Sequence, residues 1–363
     1  MLLDAVWIGI AFLLGLAARQ VKLPPLVGYL AAGFVLYALN INPGEIINNF
    51  ADLGVTLLLF TIGLKLRVDT LLRPQVWGVA FTHMGLITLL IGGGLLVLAL
   101  TSLPLLTGLD LTTALLIGFA LSYSSTVFAV KVLEDKGELD SIYGRTAIGI
   151  LIMQDIVAVV FLAISAGKVP SSWALLLFLA LVPARWLLLR FMDRAGHEEL
   201  LVLFGLSVAL GGAQVFDMFN IKGDLGALML GVFLAPHRNA SGLAKSLLSF
   251  KDLFLVGFFL SIGLRGIPDL EMLFMAALLV AVVPLKGALF FGLLTKFRMR
   301  SRTSFLSALS LSNYSEFGLI VAAIGAANGW ISEAWLITSA VALALSFVAA
   351  SPVNTAAHAL YER

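Results

Sequence analysis

The sequence predicts an all-α membrane protein of about 13 transmembrane helices, arranged as inverted repeats, with two helices discontinuous in mid-membrane. Three observations lead there. Of 363 residues, 60% are hydrophobic and 12% charged, a composition that a water-facing surface cannot accommodate at this length. The apolar runs are long and unbroken rather than alternating, which selects helices over a closed barrel as the way to satisfy the backbone in lipid. Three short motifs also recur, in the same order, in the two halves of the chain.

A bilayer core of about 30 Å takes about 20 helical residues to cross. On that measure the spans run approximately over residues 3–18, 25–39, 51–64, 76–100, 111–133, 144–166, 173–191, 200–216, 223–235, 247–264, 272–295, 304–328 and 334–360. The first lacks a basic leader and a small-residue cleavage site, so it reads as a retained span of a mature chain. The second, third and ninth are short.

The basic residues supply an independent check through the positive-inside rule. One set of loops and ends carries Arg19, Lys22, Lys65, Arg67, Arg73, Lys131, Lys136, Arg145, Arg185, Arg190, Arg194, Arg238, Lys245, Lys251, Lys296, Arg298, Arg300, Arg302 and Arg363. The other carries Lys168, Lys222 and Arg265. With Lys286 inside a span, that divides all 23 as 19, 3 and 1. The N-terminus is expected outside and the C-terminus in the cytoplasm. Losing or adding a span would destroy this alternation.

The repeat is read from three pairs. Thr61-Ile62-Gly63-Leu64-Lys65 returns as Ser261-Ile262-Gly263-Leu264-Arg265, an offset of 200. The stretch from Gly28 to Phe34, with Gly33, returns from Gly226 to Val232, with Gly231, at 198. Leu121-Ser122-Tyr123-Ser124-Ser125 is echoed by Leu311-Ser312-Asn313-Tyr314-Ser315 at 190. Each pair crosses the membrane in opposite directions on the topology above, which is the architecture of alternating-access transporters.

Asp155 lies near the middle of the sixth span. A carboxylate at that depth costs several kcal/mol unless protonated, paired or hydrated, and burial against nearby charge lets such a group titrate near physiological pH. It is therefore the candidate proton carrier, the alternative being an acid held in a permanent salt bridge. Lys286, in the eleventh span, is its expected cationic neighbour or else a snorkelling, structural lysine. Polar clusters interrupt the fifth span, at Ser122 through Ser125 and Thr126, and the twelfth, at Ser310 and from Asn313 through Ser315 to Glu316. They fit broken helices whose free ends place partial charges near an ion, or hydroxyls back-bonded within intact helices. Glu316 then neutralises half-helix N-termini or joins the ion path, the first being favoured. His83 is assigned to packing. The run 134–138 and the basic run 296–302 are assigned to solvated loops.

Other chemistry is poorly represented. There is no cysteine for disulfides or thiol catalysis, and four histidines are scattered. No enzyme activity, cofactor or nucleic-acid partner is expected.

At this point the chain resembles the cation:proton antiporter-2 family and, within it, Kef-type potassium/proton antiporters. The stretches are Pro24-Pro25-Leu26-Val27-Gly28-Tyr29-Leu30 with Gly33, Leu53-Gly54-Val55 through Phe60 to Leu64, Leu121-Ser122 with Ser124-Ser125-Thr126, Gln154-Asp155, Phe258-Phe259 with Ile262-Gly263-Leu264, Lys286, and Glu316-Phe317. The resemblance implies a sodium/proton-antiporter-like fold. It also implies a dimerising scaffold (1–75 and 167–265) and a mobile core (76–166 and 266–363), working as a homodimer by an elevator motion in a bacterial inner membrane. It makes Asp155 the monovalent-cation and proton site, with Gln154, Ser125, Thr126, Asn313 and Ser315 around it and Lys286 and Glu316 as charge partners.

One carboxylate taking either a proton or a cation implies electroneutral 1:1 exchange, favoured over an electrogenic exchange in which Lys286 also releases a proton, with K+ favoured over Na+ by the Gln154-Asp155 pair. Kef systems continue into a cytoplasmic nucleotide- and glutathione-responsive domain, whereas this chain stops at Arg363. Either that domain has been removed or regulation belongs to a separate domain or subunit. The loop 236–245 lacks the acidic stretch of glutathione-gated members, which argues against such gating. The competing readings are a Na+/H+ antiporter, a gated K+ channel uncoupled from protons, and a sensor or assembly subunit without transport.

Overall fold

The computed structural model describes residues 2–21, 23–41, 44–65, 73–101, 103–139, 141–165, 174–196 and 199–362. Lys22, Arg67, Lys168, Arg363 and the expected start of the seventh span at Trp173 lie outside the described residues. The regular elements among the described residues are all helical. In chain order they begin with α1 (Leu2–Gln20), α2 (Pro25–Ala38), α3 (Glu45–Lys65), α4 (Pro74–Leu98), α5 (Leu111–Ser122) and α6 (Thr126–Asp135). Then follow α7 (Ile142–Ser165), α8 (Ala174–Ala195), α9 (Glu199–Met218), α10 (Gly223–Leu234), α11 (Ala240–Gly263) and α12 (Leu270–Ala281). The last are α13 (Val283–Lys296), α14 (Ser301–Leu311), α15 (Glu316–Ala327), α16 (Glu333–Thr355) and α17 (Ala357–Glu362).

Among the described residues, eight helical stretches are long and apolar enough to cross a bilayer: α3, α4, α5 with α6, α7, α9, α11, α12 with α13, and α16. Shorter apolar helices are α1, α2, α10 and α15. Their starts follow local chemistry. Pro25 and Pro74 open α2 and α4, where a missing N–H has no helical partner to lose. Asp110 and Asp269 cap α5 and α12, accepting from the N–H of Thr113 at 2.9 Å and of Met272 at 2.7 Å. Large apolar side chains such as Phe12, Leu89, Val97 and Ile164 are exposed, as a lipid solvent allows.

Several boundaries differ from the expected spans; the third, expected short from residue 51, begins at Glu45 and runs 21 residues to Lys65. The eleventh is interrupted at Val282, because Pro284 has no N–H to donate into the preceding turn. The last expected span divides into α16 and α17 a few residues after Pro352. Six of the ten residues of the expected loop 236–245 are helix, since α11 begins at Ala240.

The chain divides into two compact units. One comprises Asn42–Arg67 and Val159–Ser261. Its core is apolar, built on Leu57, Phe60, Phe216, Leu230, Leu243 and Leu247. Within it α3 and α10 meet backbone to backbone: a Cβ on Gly63 would lie 2.4 Å from the Leu228 carbonyl oxygen, and one on Gly231 would lie 2.3 Å from that of Phe60.

The other unit comprises Met1–Ile41, Val68–Ala158 and Ile262–Arg363. Here Gly263 sits against α2, where a Cβ would lie 2.5 Å from the Leu30 oxygen and 2.7 Å from Gly33 Cα. The repeated glycines thus meet reciprocally, Gly63 with Gly231 and Gly263 with Gly33. In the same unit α15 crosses α5 so closely that a Cβ on Gly318 would lie 1.9 Å from the Ala120 oxygen. That crossing brings two helix breaks together.

Candidate functional site

Both polar clusters are breaks. The residues between α5 and α6 are Tyr123, Ser124 and Ser125, and those between α14 and α15 are Ser312 through Ser315. Serine and asparagine compete locally for backbone groups and favour caps over helix interiors. Ser125 caps α6, accepting from Phe128 N–H at 3.2 Å. Ser315 caps α15, accepting from Phe317 N–H at 3.1 Å.

A break inside an apolar medium leaves backbone donors and acceptors that must find partners. Gln154, from α7, serves the first: its Oε1 accepts from Ser124 N–H at 3.0 Å, and its Nε2 lies 3.5 Å from the Ser122 oxygen. Asn313 Oδ1 accepts from Ser125 N–H at 2.7 Å, so the second break supports the first. Ser124 Oγ returns the support by donating to the Leu311 oxygen at 2.7 Å. Tyr314 N–H donates to Ser346 Oγ of α16 at 3.1 Å.

Two buried charges complete the frame. Lys286 Nζ donates to the carbonyl oxygens of Tyr123, Asn313 (2.8 Å) and Leu121 (3.3 Å). An ammonium has three donors and no acceptor, and these carbonyls stand at the C-terminal ends of α5 and α14, where the helix dipole is negative. Glu316, in the first turn of α15, accepts from Ser125 Oγ at 2.9 Å. Its carboxylate therefore lies between the N-termini of α6 and α15, the positive dipole ends. The cation serves two C-termini and the anion two N-termini.

Asp155 adjoins this frame on α7, 1% exposed. Its Oδ2 accepts from Thr126 Oγ1, in the first turn of α6, at 3.2 Å. The structure thus gathers Gln154, Asp155, Ser125, Thr126, Asn313, Lys286 and Glu316 in one unit, nearly all fully buried. Ser315 is buried there as a cap. The carboxamides of Gln154 and Asn313 are turned to backbone. Ser346 carried no role in the sequence reading; Ser124 and Tyr314 stood in its polar clusters, and the Tyr314 ring lies 5.1 Å from Lys286 Nζ. His83 stacks on Phe290 at 3.4 Å, with Nε2 placed 3.3 Å from the Lys286 carbonyl oxygen.

With this geometry in hand, comparison with known proteins adds an independent line. Residues 8–355 match the family described as sodium/hydrogen exchanger, transmembrane. YbaL of Escherichia coli K12, provisionally assigned as a cation/proton antiporter, is 30% identical over 90% of this chain and 62% of its own length. KefC of Cronobacter sakazakii, a glutathione-regulated potassium-efflux system protein, is 29% identical over 96% of this chain and 58% of its own. The chain therefore spans about 60% of the length of these relatives. The sodium proton antiporter MjNhaP1 of Methanocaldococcus jannaschii shares the fold, with a TM-score of 0.67 and 16% identity over 97% of this chain and 96% of that one.

Proposed function

The chain belongs to the sodium/hydrogen exchanger transmembrane family, a family of transporters and not of enzymes, and from that membership together with Asp155 at the helix breaks we propose that it exchanges a monovalent cation for a proton. The observation that carries the proposal is one buried carboxylate beside a frame whose other charges are already matched to helix ends. A bare carboxylate is costly in this setting. Asp155 therefore crosses either as the neutral acid or as an ion pair with the cation, and the two occupancies exclude each other. Lys286 and Glu316 keep their helix-end partners throughout, so the exchange is 1:1 and electroneutral. Thr126 holds the carboxylate toward the break, and Ser125, Asn313, Ser315 and Gln154 keep both breaks open beside it.

The wider architecture belongs to the same proposal. Reciprocal packing of Gly63 with Gly231 and Gly263 with Gly33 supports an inverted repeat, and the two breaks support a pair of crossing discontinuous helices within 13 spans. A repeat of this kind can interconvert outward-facing and inward-facing shapes. We assign 76–166 and 266–363 to the moving core, and 1–75 and 167–265 to a dimerising scaffold, with elevator motion between them. The membrane is a bacterial inner membrane, with the N-terminus outside and the C-terminus in the cytoplasm. A cytoplasmic regulatory domain or subunit is the partner suggested by the greater length of the relatives.

K+ is the favoured cation, on the strength of the Kef-type motifs. The test is a proteoliposome holding a pH gradient, to which Li+, Na+, K+ or Rb+ is added. K+ and Rb+ should dissipate the gradient at lower concentration than Na+ and Li+. The reverse order would make the protein a Na+/H+ antiporter, and unitary K+ currents without proton movement would make it a channel.

A further inference from the structure

The C-terminal half of α8 carries a surface that cation exchange leaves unused. Trp186, Arg190 and Arg194 follow one another at i, i+4 and i+8, so they form one exposed line along the helix. Leu187 and Phe191, also exposed, form the adjacent line. The Arg190 guanidinium lies over the Trp186 ring, 4.6 Å from its centre, within cation–π range. Arg185 is fixed nearby, its Nε donating to the Phe233 oxygen in the last turn of α10 at 3.4 Å. The local acid is Asp193, whose Oδ1 already meets Arg238 Nη2 at 3.0 Å and His237 Nε2 at 3.2 Å. Among the described residues, Arg190 and Arg194 have no carboxylate partner.

We propose that this face of α8 binds an anionic phospholipid, with Arg190 and Arg194 on the headgroup phosphate and an acyl chain along Leu187 and Phe191. The guanidinium fork matches a phosphodiester, and the apolar line beside it matches a hydrocarbon chain. Inorganic phosphate would use only the first line of side chains, and a zwitterionic lipid would carry a compensating cation. The proposal does not depend on which ion Asp155 carries.

Native mass spectrometry of the full chain in neutral detergent tests it, with phosphatidylglycerol, phosphatidylcholine of the same acyl chains, and inorganic phosphate as probes. Phosphatidylglycerol should bind about tenfold or more tightly than phosphatidylcholine, and phosphate should not displace it. Arg190→Gln with Arg194→Gln should abolish that preference. Arg190→Lys with Arg194→Lys, which keeps both charges, should show a preference between those of the parent and the Gln variant. Equal binding of the two lipids, a preference retained in the Gln variant, or displacement by phosphate would overturn the proposal. Exchange measured in phosphatidylcholine liposomes is read separately, so a negative result here leaves the Asp155 reading standing.

Discussion

The two helix breaks are built alike and charged differently. Ser125 and Ser315, 190 residues apart, each cap the half-helix that follows. Ser124 and Tyr314, also 190 apart, each donate their freed N–H to a side chain of the next long helix, Gln154 of α7 or Ser346 of α16. The residue after Gln154 is Asp155, and the residue after Ser346 is Phe347, which is buried and stacks on Phe128 at 5.5 Å. In the first half-helix after each break, position one is Thr126, which reaches Asp155; its counterpart is Glu316, which reaches back to Ser125. The repeat supplies a near-symmetric frame, and only one side of it carries the carboxylate we assign to exchange. On the function proposed above, the symmetry would serve the movement, and the asymmetry would give a single binding site and hence a 1:1 ratio.

The largest expected effect comes from removing the group both breaks share. Lys286→Met leaves carbonyls of α5 and α14 without their cation, a loss of about 3–5 kcal/mol for one partner of a buried charged network. Melting of the purified protein should fall steeply, and an unchanged melting temperature would show that the breaks do not need the ammonium. Next come the paired supports. Gln154→Leu and Ser346→Ala each orphan one buried N–H, at a cost of about 1–3 kcal/mol. The comparison predicts similar costs, and a Gln154→Leu protein as stable as the parent would break the parallel.

A smaller change tests where the symmetry ends. Thr126→Val keeps shape and fold but removes the hydroxyl on Asp155, worth about 0.5–1.5 kcal/mol. The half-saturating cation concentration should rise between about twofold and tenfold, with the melting temperature falling by at most a few degrees; an unchanged cation dependence would separate Thr126 from the site.

The smallest effect lies in the loop that follows the first half-helix. Partial burial alone would raise the Glu138 carboxyl, but hydrogen bonds from Tyr143 and His358, with the charges of His358 and Lys136, hold it below the ordinary carboxylate value. A depressed folded-state value stabilises above the unfolded carboxyl range near pH 4.3, and that stability is lost as pH falls through the depressed value. Glu138→Gln should therefore cost under about 1 kcal/mol near neutrality and nothing in strong acid. A difference that grows on acidification would contradict this assignment.

How much of this was legible in the sequence varies residue by residue. Asp155 announced itself because a carboxylate in an apolar run has few structural excuses, and the breaks did so because clustered hydroxyls have no use inside a continuous apolar helix. The direction of the Gln154 carboxamide was not legible. It depends on which neighbouring helix leaves an N–H free, and the sequence does not encode that pairing locally. Lys286 read as a neighbour for Asp155, whereas its three donors go to carbonyls that exist as acceptors only once two helices are broken. Ser346 was hidden for another reason: its hydroxyl also donates to the Leu343 oxygen at 2.7 Å, the ordinary habit of a serine in an apolar helix.

The central claim is that the asymmetric carboxylate alone carries the exchanged proton and cation. The direct measurement is cation-induced dissipation of a pH gradient in proteoliposomes containing Asp155→Asn, beside the parent and Thr126→Val. Asp155→Asn should fold, since an amide lacks the desolvation cost of a charge, and give no cation-dependent proton movement, while Thr126→Val should remain active at higher cation concentration. Proton-coupled cation exchange by Asp155→Asn would contradict the claim.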